Sequence, residues 1–323
     1  MGSPPGPVAS SVVLRTEVPV HEPIWSEHAE ALFALTGDHR IAKIDPPGRS
    51  SAPATARTTL SAPFPDVGED LVTGAAVVYL PQPGLGHLAA VSDTDLRQLA
   101  TLPAGPSPSF LALDSGSDDL LALSRDRSRV TPLDLHDNRV LPAQDVRAEP
   151  EAEVDGATRG RRIDYYLVGP GGITHYEGAP GSVHDEGKIN IRAGKTATDL
   201  VKSSRLYVAE RGTDRLLALD SGRGGHGLQV VAHASLGEPV RYLGVDQVRI
   251  YAATEHKLVV FTTNSFEGYH NQTFPIVTTI DFRSALRGPA RNAALSGLAV
   301  GPDRVYLTLR GQPSLLSIAK PSI

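Results

Sequence analysis

One phrase recurs along the chain: a short β-prone run, a polar Arg/Gly/Asp turn, then a second apolar run ending in a polar residue. Its clearest copy is RLYVAERGTDRLLALD (Arg205–Asp220). Related copies are ALFALTGDHRIAKID (Ala31–Asp45), DLLALSRDRSRVTPLD (Asp119–Asp134), RIYAATEHKLVVFT (Arg249–Thr262) and RVYLTLRGQPSLLSIA (Arg304–Ala319). A unit that returns every few tens of residues cannot bury its apolar face alone, so copies must pack on one another. Each copy reads as strand, hairpin turn, strand, with turn chemistry at Gly37-Asp38, Gly212 and Gly311. No segment sustains the spacing of a long amphipathic helix. The chain is read as all-β.

A second pattern precedes several hairpins. Gly105–Asp114, Gly237–Asp246 and Asn292–Gly301 each run from a small or Pro-containing loop into a short apolar strand and a turn. A further strand follows, as in Leu228–His233 and Ile276–Asp281. Four antiparallel strands per unit make a propeller blade. Second strands centred on Phe33, Val78, Leu121, Tyr166, Tyr207, Ile250 and Tyr306 lie roughly 40–55 residues apart, which predicts a seven-bladed β-propeller. Counts of six or eight blades stay open.

The last blade lacks a fourth strand, and the β-prone run Ser11–Pro19 is predicted to supply it, closing the ring by pairing the N-terminal strand with the last blade. Residues 1–10 read as an expression scar (Met1-Gly2-Ser3) and a tether; 11–323 read as one propeller domain. The fourth blade is expected over Arg162–Ile191. Ala143–Arg162, rich in Glu, Asp and Arg, has no apolar period and is expected to be an exposed loop. Small residues at Ala112, Gly244 and Gly297 fit inner strands converging on an axis. Trp25, the only Trp, is expected to pack between blades.

RLYVAERGTDRLLALD resembles the surface-layer-type propeller repeat, whose signature is matched here by Tyr207, Val208, Ala209, Gly212, Asp214 and Asp220. Glu210 and Arg211 depart from it. The match is good in one blade and partial in four, so it speaks for fold more than function. In architecture, size and composition the chain is also similar to the actinobacterial periplasmic propeller that assists trehalose monomycolate export. That resemblance rests on no motif. It implies an inner-membrane-anchored, extracytoplasmic protein linked to lipid transport and envelope growth.

Composition narrows the chemistry. There is no Cys, which excludes disulfides, thiolate metal sites and a Cys nucleophile. This fits a protein exposed to an oxidising compartment such as the periplasm or cell envelope, although many cytosolic proteins also lack Cys. The net charge of -5 gives no reason to expect nucleic acid. The chain has no stretch approaching the roughly 20 apolar residues of a membrane span. Membrane contact is therefore expected only through a segment outside this sequence. Lys occurs six times against 25 Arg, a bias associated with GC-rich bacterial genomes.

Turns between second and third strands all emerge on one face of a propeller. That face is expected to gather Arg40, Arg125, Arg127, Arg129, Arg211, Arg215, Lys257 and Arg310, with Asp38, Asp126, Asp214 and Glu255 among them. Either this is a basic rim for an anionic or sugar ligand or an acidic partner, or the charges largely cancel. Loops entering the inner strands add Ser109, Lys195, Thr196, Glu238, Arg241, Asn292 and Ser296 at the channel mouth, where pockets of closed β-structures form.

No catalytic constellation rises above chance. His184-Asp185-Glu186 is dense in ligand types, but neighbours on a strand point to opposite faces. Gly169-Pro170-Gly171-Gly172 reads as a hairpin turn, because no helix follows to cradle a phosphate. The expectation is a non-enzymatic propeller without cofactor or metal. Its partners would be an envelope lipid or glycolipid and an inner-membrane transporter. The alternative is a metal-dependent lactonase-like enzyme, which needs Glu, Asn and Asp from separate blades around a divalent ion. Asn is scarce, and only Asn292 lies near a plausible mouth. An axial channel without an acidic cluster would count against that enzyme.

Overall fold

The computed structural model describes residues 11–46, 54–114, 116, 118–158, 160, 162–222 and 227–322. The expected tether, residues 1–10, lies outside them. Seven small antiparallel sheets follow one another around a ring. Their inner strands are Val20–Ser26, Val72–Gly74, Pro108–Asp114, Glu153–Gly156, Ala193–Thr198, Tyr242–Val245 and Leu295–Val300. We number the blades 1 to 7 in that order.

Each hairpin of the repeated phrase forms the second and third strands of a blade, as in Arg205–Glu210 with Arg215–Ser221. Both faces of these strands are buried, because each sheet is covered by a neighbouring blade on either side. Seven apolar clusters result, one for each blade–blade interface. That burial accounts for the continuous apolar runs in the sequence and is the main stabilising term. Trp25 behaves as expected, stacking on Tyr306 of blade 7 with ring centroids 5.7 Å apart.

Ser11–Arg15 pairs antiparallel with Ser314–Ala319, Ser11 opposite Ile318 and Arg15 opposite Ser314. The ring is closed by joining the two ends of the chain. Ala54–Thr55 then pairs in parallel with the outer side of the closing strand, which shields part of its edge.

One expectation is corrected. The stretch 143–162 is not a loop throughout. Gln144–Asp145 pairs with the third strand of blade 3, and Glu153–Gly156 is the inner strand of blade 4. The charges of Glu153 and Asp155 hid the strand: they alternate with Val154 and Gly156, and the carboxylates face the axial mouth rather than a core. At Gly156 a Cβ would come within 2.2 Å of the Leu113 carbonyl oxygen of the neighbouring inner strand, and at Gly244 within 2.5 Å of Leu298. Small residues are therefore demanded where the strands converge. No helix among the described residues is long and apolar enough to cross a membrane.

Candidate functional site

Loops entering the inner strands and turns between second and third strands open on the same face. There the axial channel widens into a mouth. Four inner strands carry a register irregularity at this end, at His21/Ile24, Pro108/Phe110, Ala193/Lys195 and Leu295/Gly297. Such bulges re-aim side chains. In blade 1 the bulge holds Glu22 at φ 45°, a left-handed backbone that is costly for a non-Gly residue.

The mouth is charged. Glu22 comes from blade 1, Glu69 and Asp70 from the entry to blade 2, Glu153 and Asp155 from blade 4, and Lys195 from blade 5. Lys195 Nζ lies 3.3 Å from Glu153 Oε2. Asp70 accepts the backbone N–H of Leu111 (3.1 Å), tying blade 2 to blade 3. Burial dominates the titration of Asp70, Asp155 and Glu22. It pushes Asp70 up to about 7, with the charges of Glu153 and Glu22 adding to the rise against one backbone hydrogen bond and Lys195. It pushes Asp155 up to about 6, against a hydrogen bond from Thr196, and raises Glu22 as well. Burial pulls Lys195 down, but Glu153, Glu22 and Asp70 outweigh it and hold the ammonium above its usual range. One half-buried cation thus stands among several carboxylates.

From Lys195 a cleft of about 500 Å³ runs outward over blades 3 to 6. Arg127 donates from Nε to the Ala152 carbonyl (2.8 Å) and lies 4.5 Å over the Phe110 ring. Arg211 pairs with Glu151 at 2.6 Å and Arg241 with Glu255 at 3.1 Å. On the other side of the axis, Arg310 lines a second cavity of about 350 Å³ with His21, Glu22, Tyr242 and Ser296.

The nine residues expected to bind a ligand or partner divide into groups. Arg211 and Arg241 share the large cleft. Arg310 and Ser296 share the smaller cavity, where Ser296 is buried and bonds with the Val20 carbonyl (3.1 Å) and Thr308 Oγ1 (2.9 Å), a contact between the last and first blades. Glu238, bonded to His256 at 3.0 Å, and Asn292 line a third cavity at the rim, of about 660 Å³. Arg40 pairs with Asp38 within its own turn, Arg125 lies 3.7 Å from Asp66, and Arg215 pairs with Glu210 across its own hairpin. The structure does not bring these last three to a cavity described above. Sequence reading missed Glu22, Glu69, Asp70, Glu153, Asp155 and Tyr242. The Glu-Val-Asp-Gly alternation over 153–156 was the one signal that could have found two of them.

His184, Asp185 and Glu186 sit on the outer strand of blade 4, Ser182–Ile189. Among the described residues, one group brings three ligand-type atoms within 4.8 Å of one another: Asp164, His175 and Glu177 in the same blade. There His175 Nε2 bonds to Asp164 Oδ1 at 2.8 Å, its ring stacks on Tyr166, and Arg162 pairs with Glu177 at 2.9 Å. The axial carboxylates do not converge to that degree.

No protein-family model matches the chain, and no curated protein matches its sequence. Solved structures do match in shape. A chain from the crystal structure of a mitotic checkpoint complex is similar over 100% of this chain and 98% of its own, with a TM-score of 0.68 at 11% identity. A chain of hydrazine synthase from Kuenenia stuttgartiensis is similar over 99% of both chains, with a TM-score of 0.64 at 11% identity. At that identity the likeness shows the fold alone. One sits in a checkpoint complex and the other in a synthase, so fold does not choose between binding and catalysis.

Proposed function

We propose that the chain is a non-catalytic binding propeller of the cell envelope, and that the mouth takes the sugar head of a glycolipid or a glycan. One observation carries the reading: three of the cleft's four cations are already paired with carboxylates, Lys195 with Glu153, Arg211 with Glu151 and Arg241 with Glu255, while Arg127 is taken up by the Ala152 carbonyl. A polyanion would have to displace those carboxylates. A neutral polyol can accept from the guanidinium groups and donate to the carboxylates without adding charge. The polar walls suit a head group and leave an acyl chain outside.

The resemblance to the periplasmic propeller of trehalose monomycolate export, together with the absence of Cys, supports placing this binding outside the cytoplasm beside a lipid transporter. The competing reading, a metal-dependent lactonase-like enzyme, has carboxylates at the axis in its favour. Against it stand Lys195, whose ammonium occupies Glu153, and the spacing of the axial carboxylates, which do not form a three-ligand group among the described residues.

Isothermal titration with trehalose and with a short-chain trehalose monoester tests the proposal. Both should bind, and the Arg211→Ala/Arg241→Ala double variant should weaken binding by about tenfold or more, as lost charge-assisted hydrogen bonds do. Absence of heat with either sugar, or equal binding by the double variant, would refute it.

A further inference from the structure

The face opposite the mouth carries an unexpected apolar patch on blades 5 and 6. Phe266 is 91% exposed, and Leu200, Val201 and Val248 are partly exposed, at 45%, 37% and 50%. They belong to three connections on this face: 199–204 and 246–248, which join first to second strands, and 263–275, which joins third to fourth. Hydrogen bonds bring the three together. Ser265 Oγ donates to Asp199 Oδ2 (2.7 Å), which sets Phe266 and Leu200 each one residue from a shared bond. The N–H of Thr263 donates to the Val248 carbonyl (3.0 Å).

The patch is held rigidly. Asp199 Oδ1 accepts the N–H groups of Val201 and Lys202, both at 2.8 Å. The buried Arg205 reaches the carbonyls of Thr263 and Asn264 and lies 4.8 Å over the Tyr269 ring. The N–H of Gly268 donates to the Asn264 carbonyl (2.8 Å), closing a one-turn loop with Phe266 at its apex. A large aromatic side chain in solvent at a braced loop tip has no role in the fold. Exposed apolar patches of this kind mark interaction sites.

We infer that this face rests on a lipid bilayer, with Phe266, Leu200, Val201 and Val248 entering the interfacial layer. Three features choose a bilayer. The apolar side chains stand on loop tips rather than in a groove, so they suit a soft planar phase. The cations beside them are already paired, Lys202 and Arg205 with Asp220 and Lys320 with Asp246, so insertion demands no anionic partner. Finally, both ends of the described chain leave here. Ser11 pairs with Ile318 at this end of blade 7, and Lys320 bonds to Asp246, two residues from Val248. Ser11 and Lys320, near the two ends of the described residues, therefore lie on the same face as the patch. The mouth then points away from the membrane.

Co-sedimentation of the whole chain with vesicles of phosphatidylcholine and phosphatidylglycerol provides the test. Binding is expected and should persist at high salt, where adsorption through surface charge is screened. Phe266→Asp should reduce the bound fraction about tenfold, while its thermal unfolding and its sugar titration at the mouth stay unchanged. Failure of the unaltered chain to bind, or equal binding by Phe266→Asp, overturns the inference. So does self-association that Phe266→Asp abolishes in a chain that ignores vesicles. None of these outcomes bears on the mouth, so the two proposals fail separately.

Discussion

The two faces of the ring use the same side chains to opposite ends. On the face at blades 5 and 6, Asp220 accepts from Arg205 Nε (2.8 Å) and Lys202 Nζ (2.6 Å), and Asp246 from Lys320 Nζ (2.8 Å) and Tyr251 (2.7 Å). Burial alone would raise both carboxylates, but these partners outweigh it and hold both below the ordinary range. At the mouth, burial raises Asp70, Asp155 and Glu22 instead, and the single ammonium of Lys195 does not offset it. Satisfied charge locks loops in place; under-satisfied charge is what a ligand can complete. The difference lies in partners per carboxylate, not in composition.

The most damaging test of that contrast is Arg205→Met. It removes a buried guanidinium and leaves Asp220 and two loop carbonyls short of a donor. The expected loss is about 3 kcal/mol in denaturant unfolding, and a near-neutral result would show the network to be dispensable. Next comes Gly156→Ala, which drives a Cβ into the Leu113 carbonyl where blades 3 and 4 meet and should destabilise by about 2 kcal/mol.

The mouth should respond to pH instead. Asp70 has a folded value of about 7, above its unfolded value, so the folded state holds its proton where the unfolded chain has lost it. Its contribution to stability is full below the unfolded value and is lost as pH rises through about 7. Asp70→Asn should therefore gain on the unaltered chain between about pH 5 and pH 8 in denaturant midpoint; a gain of the opposite sign would place its ionised form in a favourable site. Asp220 and Asp246, being depressed, lose their contribution on the acid side. Lys195→Met should push the carboxyl titrations of Asp70 and Glu22 higher still by NMR. Smallest of all, Arg215→Ala breaks a pair whose guanidinium is about half exposed and should change stability by no more than about 1 kcal/mol.

Much of the fold was legible because blade formation is local. The apolar runs around Phe33, Tyr207 and Tyr306, the turns at Gly212 and Gly311, and the repeated spacing are properties of contiguous residues. The inner strand at 153–156 left only a four-residue Glu-Val-Asp-Gly alternation in the sequence, because an axial strand that short is defined by what it faces. Glu153 and Asp155 look like loop residues until the ring sets them beside Lys195, some forty positions later. Phe266 was overlooked for the converse reason: an apolar residue in a sequence is expected inside, and only the loop braced by Arg205 and Asp199 shows it standing in solvent.

By itself the amino-acid sequence determined the all-β class, and it favoured seven blades closed by the run Ser11–Pro19, because hydrophobic period and turn chemistry act over a few residues. Which charges are satisfied was decided only by the tertiary structure. Ring closure brings inner strands from distant parts of the chain to one axis, and the energy of a charge depends on the partners and the water left to it there.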